Sequence, residues 1–525
     1  MLNVIPAPHA FAPDDSGNLE LAAGVRIDAA EGTELAANWL RRGLERFSSV
    51  AVIDSADVAI SLAIGEVTVP EVATTGVHPD GSDIGNENHS ITISTESIAV
   101  TGVSAEAVFR GATTVLQVLS QATTFALGTI TDAPHLAWRG LSFDTVRCFH
   151  SVETVKQVLD LLALYKMNVL HFHLTDTEGW RFQVDEWPKL TEISGQTARD
   201  GRPGGFYKTA EFAEIVQYAA DRYILVVPEF DSPGHTASVL AAYPELGSDE
   251  IRTTDPAMHY LHPDQPGVSD LLRDVYTAMA TQTSANYIHI GGDEAIAMEH
   301  EVFQQYIQMA APLARATGKR IVAWQEAARG GLAAGDLVQS WIPDVMVKDI
   351  QQRIANPTEE DLARAESDPV FRAFAELFST ADQDIPMALE QGANVIVSPA
   401  TQLYLDTKYI EPSAEENQEP LRERLGLPQS VYQQGTVEDS YNWQPESILP
   451  GVPADRIVGV EAAIWCETIT GTEDLFFQLL PRLAGSAEKA WSNPREWEDH
   501  RQRLAQQPIF WEAMGLTWFK SSLVW

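Results

Sequence analysis

Cysteine is almost missing from this chain: two in 525 residues, Cys148 and Cys466. That excludes a disulfide framework and a cysteine-rich zinc site. Basic residues are scarce as well. Thirty-five Lys and Arg stand against 74 Asp and Glu, a formal net charge of −39. Phosphate backbones and anionic membrane surfaces repel such a chain, so neither nucleic acid nor membrane is an expected partner. No apolar run reaches the roughly 20 residues of a membrane-spanning helix. The start, Met1-Leu2-Asn3-Val4-Ile5-Pro6, lacks the basic and apolar regions of a signal peptide, which favours the cytoplasm. Short-period repeats and low-complexity tracts are absent too. What remains is an ordinary globular composition, 45% hydrophobic and 21% charged, long enough for more than one domain.

Residues 1–133 read as a separate α+β unit. Helices are expected over 35–47 and 104–120, from apolar residues near helical spacing, and strands over 90–94 and 97–101 around a turn at Glu96. Thr131-Asp132-Ala133-Pro134 reads as the boundary. From 134 to 495, strand-like and helix-like stretches alternate. Expected strands are 140–144, 169–174, 224–229, 287–291, 320–324, 337–340, 394–398 and 458–464. Several are continuous apolar runs, as strands buried on both faces should be. Helices are expected at 151–165, after a Ser151 N-cap, and at 209–221. Eight such alternations imply a (β/α)8 barrel. About 360 residues exceed the roughly 250 usual for this barrel. Insertions are therefore expected, at 342–390 and 407–440, and residues 496–525 read as a helical tail packed on the barrel.

The run Tyr287-Ile288-His289-Ile290 ends in Gly291-Gly292 and then Asp293-Glu294. Two glycines permit a tight turn, and adjacent carboxyls at a barrel strand end repel, so one pKa is expected to rise. Other strand ends carry polar and aromatic groups too: Asp144 and Arg147, His173 and Asp176, Glu229, Asp231 and His235, Trp324 and Glu326, Trp341, Tyr404 and Asp406, Trp465 and Glu467. In a barrel these share one face. Aromatic platforms beside hydroxyl-gripping charges suit a sugar. Gly-rich phosphate cradles are absent. His171 and His173 are expected on opposite faces of their strand, a poor arrangement for a metal; no metal and no cofactor is expected.

The motif His289-Ile290-Gly291-Gly292-Asp293-Glu294 resembles the signature of family-20 glycoside hydrolases, the β-N-acetylhexosaminidases. The resemblance extends through Trp138-Arg139-Gly140, Asp144-Thr145-Val146-Arg147, Met167 to Asp176, Val227 to His235, Tyr404-Leu405-Asp406, Tyr441-Asn442-Trp443 and Trp465-Cys466-Glu467. It covers about residues 1–495, and its motifs are ordered and specific. It implies a retaining exo-enzyme that removes terminal β-linked GlcNAc or GalNAc from oligosaccharides or glycoconjugates. The substrate's own 2-acetamido group would be the nucleophile, through an oxazolinium intermediate. By resemblance, Glu294 is the general acid and then base, and Asp293 orients the acetamido N–H. Tyr404 bonds the acetamido oxygen, and Trp324, Trp341 and Trp443 wall its pocket. Arg147, Asp406 and Glu467 hold hydroxyls over Trp465, and Asp176 with His235 tunes Glu294. The first 133 residues resemble the non-catalytic domain that precedes such barrels.

Two departures stand out. The chain reads Trp324-Gln325-Glu326 where the family commonly has Asp or Gly in the middle, and Cys148 follows Arg147 where His is usual. Cys148 and Cys466 fall on neighbouring strands and read as two free buried thiols. Three other readings stay open: a disaccharide-releasing lacto-N-biosidase, a binding protein on a retired enzyme scaffold, and a metal-dependent hydrolase using His171, His173 and Asp176. A monomer or a homodimer is expected.

Overall fold

The computed structural model describes residues 2–21, 24–69, 74–82, 85–248, 251, 254–296, 298–427, 434–492 and 495–525. Six strands form the N-terminal sheet: β1 (Ala10–Glu20), β2 (Arg26–Ala29), β3 (Ala59–Ile64), β4 (His89–Ile93), β5 (Ser97–Gly102) and β6 (Thr124–Asp132), ordered β1-β6-β4-β5-β3-β2. Helices Glu34–Phe47 and Ala105–Gln121 pack on it, Ser104 capping the second through the Ala107 N–H. The expected turn at 131–134 is corrected: Thr131 and Asp132 finish β6 in ladder with β1 and β4.

Eight parallel strands then close a barrel in the order β7-β8-β11-β12-β13-β14-β15-β16. They are β7 (Trp138–Asp144), β8 (Val169–His173), β11 (Leu225–Glu229), β12 (Tyr287–His289), β13 (Arg320–Trp324), β14 (Leu337–Ser340), β15 (Asn394–Val397) and β16 (Ile457–Ile464). A two-stranded hairpin, β9 (Thr175–Asp176) with β10 (Gly179–Trp180), follows β8. Every residue of β7, β8 and β16 is buried, the polar ones Arg139, Asp144, His171, His173 and Glu461 included. Ser151 caps the helix Val152–Leu164 by accepting the Thr154 N–H. The barrel floor is plugged by Trp138, Val169, Val227, Tyr287, Val322, Leu337, Ile396 and Val458. Above that apolar layer the interior turns polar.

Residues 342–390 fold as the helices Asp344–Ala355, Glu359–Ser367, Pro369–Phe378 and Asp384–Glu390. Within 407–440 the structure places a short helix, Glu419–Arg424; residues 428–433 of that stretch lie outside the described ones. Residues 493–494, beside the expected boundary at 495, lie outside them as well. The last segment carries helices Trp497–Leu504 and Pro508–Ala513. Trp511 donates its indole N–H to Tyr165 Oη at 2.7 Å, and Phe510 meets Phe47 edge-on. That tail therefore touches both the barrel and the N-terminal sheet's helix.

The two halves are joined by buried charge. Glu87 Oε2 accepts from Arg110 Nε at 2.8 Å and from Arg139 Nη2, at the start of β7, at 2.7 Å. Lys166 Nζ reaches Asp132 Oδ2 at 2.7 Å. No described helix is long and apolar enough to cross a membrane.

Candidate active site

Gly291 and Gly292 end β12 at φ 72° and 107°. A Cβ on Gly291 would stand 2.1 Å from Asp231 Oδ1, so only glycine fits that approach. Glu294 and His235 also hold left-handed backbone, φ 43° and 54°, uncommon for side-chain residues and frequent at functional sites. The turn brings both carboxyls to one imidazole. His235 Nε2 lies 3.4 Å from Glu294 Oε2 and 3.9 Å from Asp293 Oδ2. Its Nδ1 lies 3.0 Å from Asp176 Oδ1. The raised carboxyl is Asp293, pushed up to about 6 by burial first and by Glu294 after it. Mutual repulsion is thus the smaller cause. Burial, Asp293 and Glu229 push Asp231 well above the carboxylate range.

Arg147 organises the opposite wall. Its guanidinium reaches Asp176 Oδ2 at 2.7 Å, Glu178 Oε2 at 3.2 Å and Asp144 Oδ2 at 3.3 Å. It sits 5.4 Å from the Trp465 ring centre, with Glu467 Oε1 at 4.0 Å. Burial opposes ionisation of Asp176, but Arg147 and His235 overcome it and hold this carboxyl well below its usual range. Asp293 Oδ1, Asp406 Oδ2 and Glu467 Oε2 are buried atoms with no hydrogen-bond partner among the described residues.

The third wall is aromatic. Trp341 and Tyr404 lie 5° from parallel, and Tyr404 meets Trp465 edge-on. Trp341 donates its indole N–H to Glu326 Oε2 at 3.1 Å. Gln325 Oε1 accepts the backbone N–H groups of Trp341 and Ile342, each at 3.0 Å. The helical insertion backs this wall: Phe378 meets Trp341 edge-on at 5.7 Å, and Val347 joins the same cluster.

Arg147, Asp176, His235, Asp293, Glu294, Trp341, Tyr404, Trp465 and Glu467 line one cleft. Trp324 and Asp406 lie directly beneath it: Trp324 packs 5.9 Å from Trp465, and Asp406 Oδ1 faces the Trp465 backbone N–H at 3.4 Å. Trp443 is not among the lining residues. It is buried in the main core, with its indole N–H on the Ser440 carbonyl. His173 and Asp231, expected on this face but without a role in sugar binding or hydrolysis, also line the cleft. Glu326 and Glu178 were missed as supports of Trp341 and Arg147; their only signal was a place just after strand ends.

The expected opposition of His171 and His173 is wrong. Residues two apart share a strand face, and both rings meet Glu229 Oε2. His171, Glu229 and His289 come close enough to share a cation. However, His171 gives both ring nitrogens to carboxylates, Glu461 at 2.7 Å and Glu229 at 3.1 Å, so these groups satisfy one another. Cys148 and Cys466 are free and buried; the Cys466 thiol faces the Asp144 carbonyl at 3.0 Å.

A closed parallel barrel whose strand ends bring two acids, an arginine and an aromatic wall to one cleft has its candidate active site where barrel enzymes carry theirs. The model of the glycosyl hydrolase family 20 catalytic domain matches residues 136–358 and 371–494, and that of the family's domain 2 matches residues 1–133. The chain belongs to glycosyl hydrolase family 20. It is 37% identical to a β-N-acetylhexosaminidase of Cellulomonas fimi, over 84% of this chain and 82% of that one. The solved N-acetyl-β-hexosaminidase of Streptomyces plicatus, in complex with Thio-NAglucal, superimposes with a TM-score of 0.80. It is 30% identical, with 100% of this chain and 97% of the other covered. A family 20 β-N-acetylhexosaminidase of Streptomyces coelicolor gives the same TM-score at 31% identity, with 100% and 98% covered. The stretch the catalytic-domain model skips, 359–370, holds the insertion helix Glu359–Ser367.

Proposed function

We propose that this enzyme is an exo-acting, retaining β-N-acetylhexosaminidase that uses its substrate's acetamido oxygen as nucleophile. One observation carries the reading: Asp293 and Glu294 stand side by side on one imidazole, His235. Ordinary retaining enzymes need two carboxyls flanking the scissile bond, roughly 5–5.5 Å apart. Two neighbours on one side do not flank it. A nucleophile within the substrate removes that need, and intramolecular attack gains effective molarity.

In the first step the acetamido oxygen bonds to the anomeric carbon as the glycosidic bond breaks. Glu294 gives its proton to the departing oxygen. Asp293 receives the acetamido N–H and stabilises the oxazolinium charge, while the Tyr404 hydroxyl steadies the acetamido oxygen. Trp341, backed by Trp324, holds the group in line. In the second step Glu294 takes a proton from water, water attacks the anomeric carbon from the leaving-group side, and the acetamide re-forms. Two inversions give net retention. Arg147, Asp406 and Glu467 hold ring hydroxyls over Trp465. Trp443 plays no part in this account of the pocket.

Hydrolysis of an aryl β-N-acetylglucosaminide by the wild type and by Glu294→Gln tests the reading. Turnover by the wild type and its loss in the variant are expected. No turnover by folded wild type contradicts it.

A further inference from the structure

The mechanism above leaves a set of buried ionisable groups without a task. They form an unbroken chain through the barrel interior. Trp138 donates its indole N–H to Glu461 Oε2 at 2.8 Å, and Glu461 Oε1 faces His171 Nδ1 at 2.7 Å. His171 Nε2 faces Glu229 Oε2 at 3.1 Å, and the same oxygen meets His173 Nδ1. His173 Nε2 faces Asp176 Oδ2 at 2.8 Å, and Asp176 leads to His235 and so to Glu294. All of Glu461, His171, Glu229, His173 and Asp176 are 1% exposed.

We propose that Glu229 is a positioning residue for proton transfer, holding His173 as an imidazolium beneath Asp176 and thereby fixing the Asp176–His235 support of Glu294. The inference rests on the reading of Glu294 as the acid and base.

Donor and acceptor counting carries it. An ionised carboxylate can only accept hydrogen bonds. The other oxygen of Glu229, Oε1, accepts the Trp324 indole N–H at 2.8 Å, and Asp176 Oδ2 accepts Arg147 Nη2 at 2.7 Å. With carboxylates on both sides, each ring nitrogen of His173 must donate. The same count applies to His171 between Glu461 and Glu229. Charge then alternates along His171, Glu229, His173, Asp176 and His235, positive and negative in turn. Burial opposes the charged rings, but the flanking carboxylates overcome it, raising His171 to about 9 and His173 well above its usual value. His289 differs: its Nδ1 lies 3.0 Å from Glu229 but accepts the Gly291 N–H, and burial lowers its pKa. The other groups facing His173 are Asp231 beyond β11 and the edge-on ring of Trp465.

The fold makes room for this chain. A Cβ on Gly140 would stand 2.1 Å from Glu461 Oε2. Apolar residues of similar volume would cost less than buried ions. Supporting groups that lock a reacting side chain give a reason to keep them.

Glu229→Gln separates this role from packing. The amide oxygen keeps the Trp324 bond, while the amide N–H₂ faces the two rings, which must then accept and drop a proton each. Nitrogen-15 NMR of the histidine rings at pH 7, with His173 assigned through His173→Asn, reads the charge directly. Doubly protonated His173 in the wild type and a neutral ring in Glu229→Gln are expected. Leaving groups supply the second reading, since only poor ones need full protonation. The variant should lose at least about 10-fold in kcat/KM on an alkyl or methoxyphenyl glycoside and less than about 3-fold on a dinitrophenyl one. A neutral His173 in the wild type overturns the proposal, whether or not the variant folds. Equal losses on both leaving groups, in a variant with unchanged melting temperature, also overturn it. Failure of the acid assignment shows separately, as a Glu294→Gln enzyme with undiminished rates on poor leaving groups.

Discussion

Asp176 and His235 are joined at 3.0 Å, and that bond turns the other ring nitrogen of His235 toward Glu294, 3.4 Å away. Arg147 and His235 keep Asp176 ionised far below neutral pH, so its charge is constant over the working range. Asp176→Asn keeps the shape and removes the charge. We expect kcat to fall on the order of 10²-fold with KM nearly unchanged, the lower end of what general acid–base catalysis supplies. Steady-state kinetics on an aryl glycoside checks this.

In the proposed mechanism Asp293 sets the acid limit of the reaction. Its pKa is raised to about 6, chiefly by burial. If it stabilises a cationic intermediate, as proposed, it must be ionised, so activity should be present above that value and fall as pH drops through it. A pH profile of kcat/KM should bend near 6. Asp293→Asn should remove the bend and lower kcat on the order of 10²–10³-fold, as loss of a preorganised electrostatic group does.

Gln325 binds the pocket wall to the insertion. Its Oε1 accepts two N–H groups at Trp341 and Ile342, and its amide nitrogen faces the Ala381 carbonyl at 3.3 Å. Gln325→Ala strands those buried donors at a cost of about 1–3 kcal/mol each. A lower denaturation midpoint and a KM raised several-fold are expected, from chemical denaturation and substrate titration.

Glu87 holds the two halves together. Burial opposes its charge, yet Arg139 and Arg110 lower its pKa from 4.5 to about 2. A carboxyl depressed in the folded state contributes stability in full above pH 4.5. That contribution is lost as pH falls toward 2. Glu87→Gln leaves two buried guanidinium groups short of charge, and should cost about 3–5 kcal/mol of unfolding free energy at pH 7. Its stability should also vary less with pH between 4.5 and 2, a point measurable by urea titration.

The barrel was legible because its strands are buried on both faces and alternate with amphipathic helices; all eight lie within two residues of the expected ends. Two of the six strands of the N-terminal sheet were legible. β4 and β5 alternate cleanly, whereas β1 is exposed along most of its length and carries Pro13, Asp14, Asp15 and Gly17, so no periodicity marks it. Within the site, the strand-end acids and aromatics were legible because chain order alone places them on one face. Trp443 was not: it follows a long insertion, and motif order there says nothing about depth in the core. The Glu229 chain was missed through an error of strand period, since His171 and His173 share a face and therefore a carboxylate.

In the proposed mechanism the nucleophile belongs to the substrate. It is tested most directly by kcat/KM on aryl glycosides whose N-acetyl group carries zero, one, two or three fluorines. Fluorine weakens the carbonyl oxygen as a nucleophile while barely changing its size. A steep fall in rate with each fluorine is expected. A flat series in an enzyme that still requires Glu294 would place the nucleophile on the protein and contradict it.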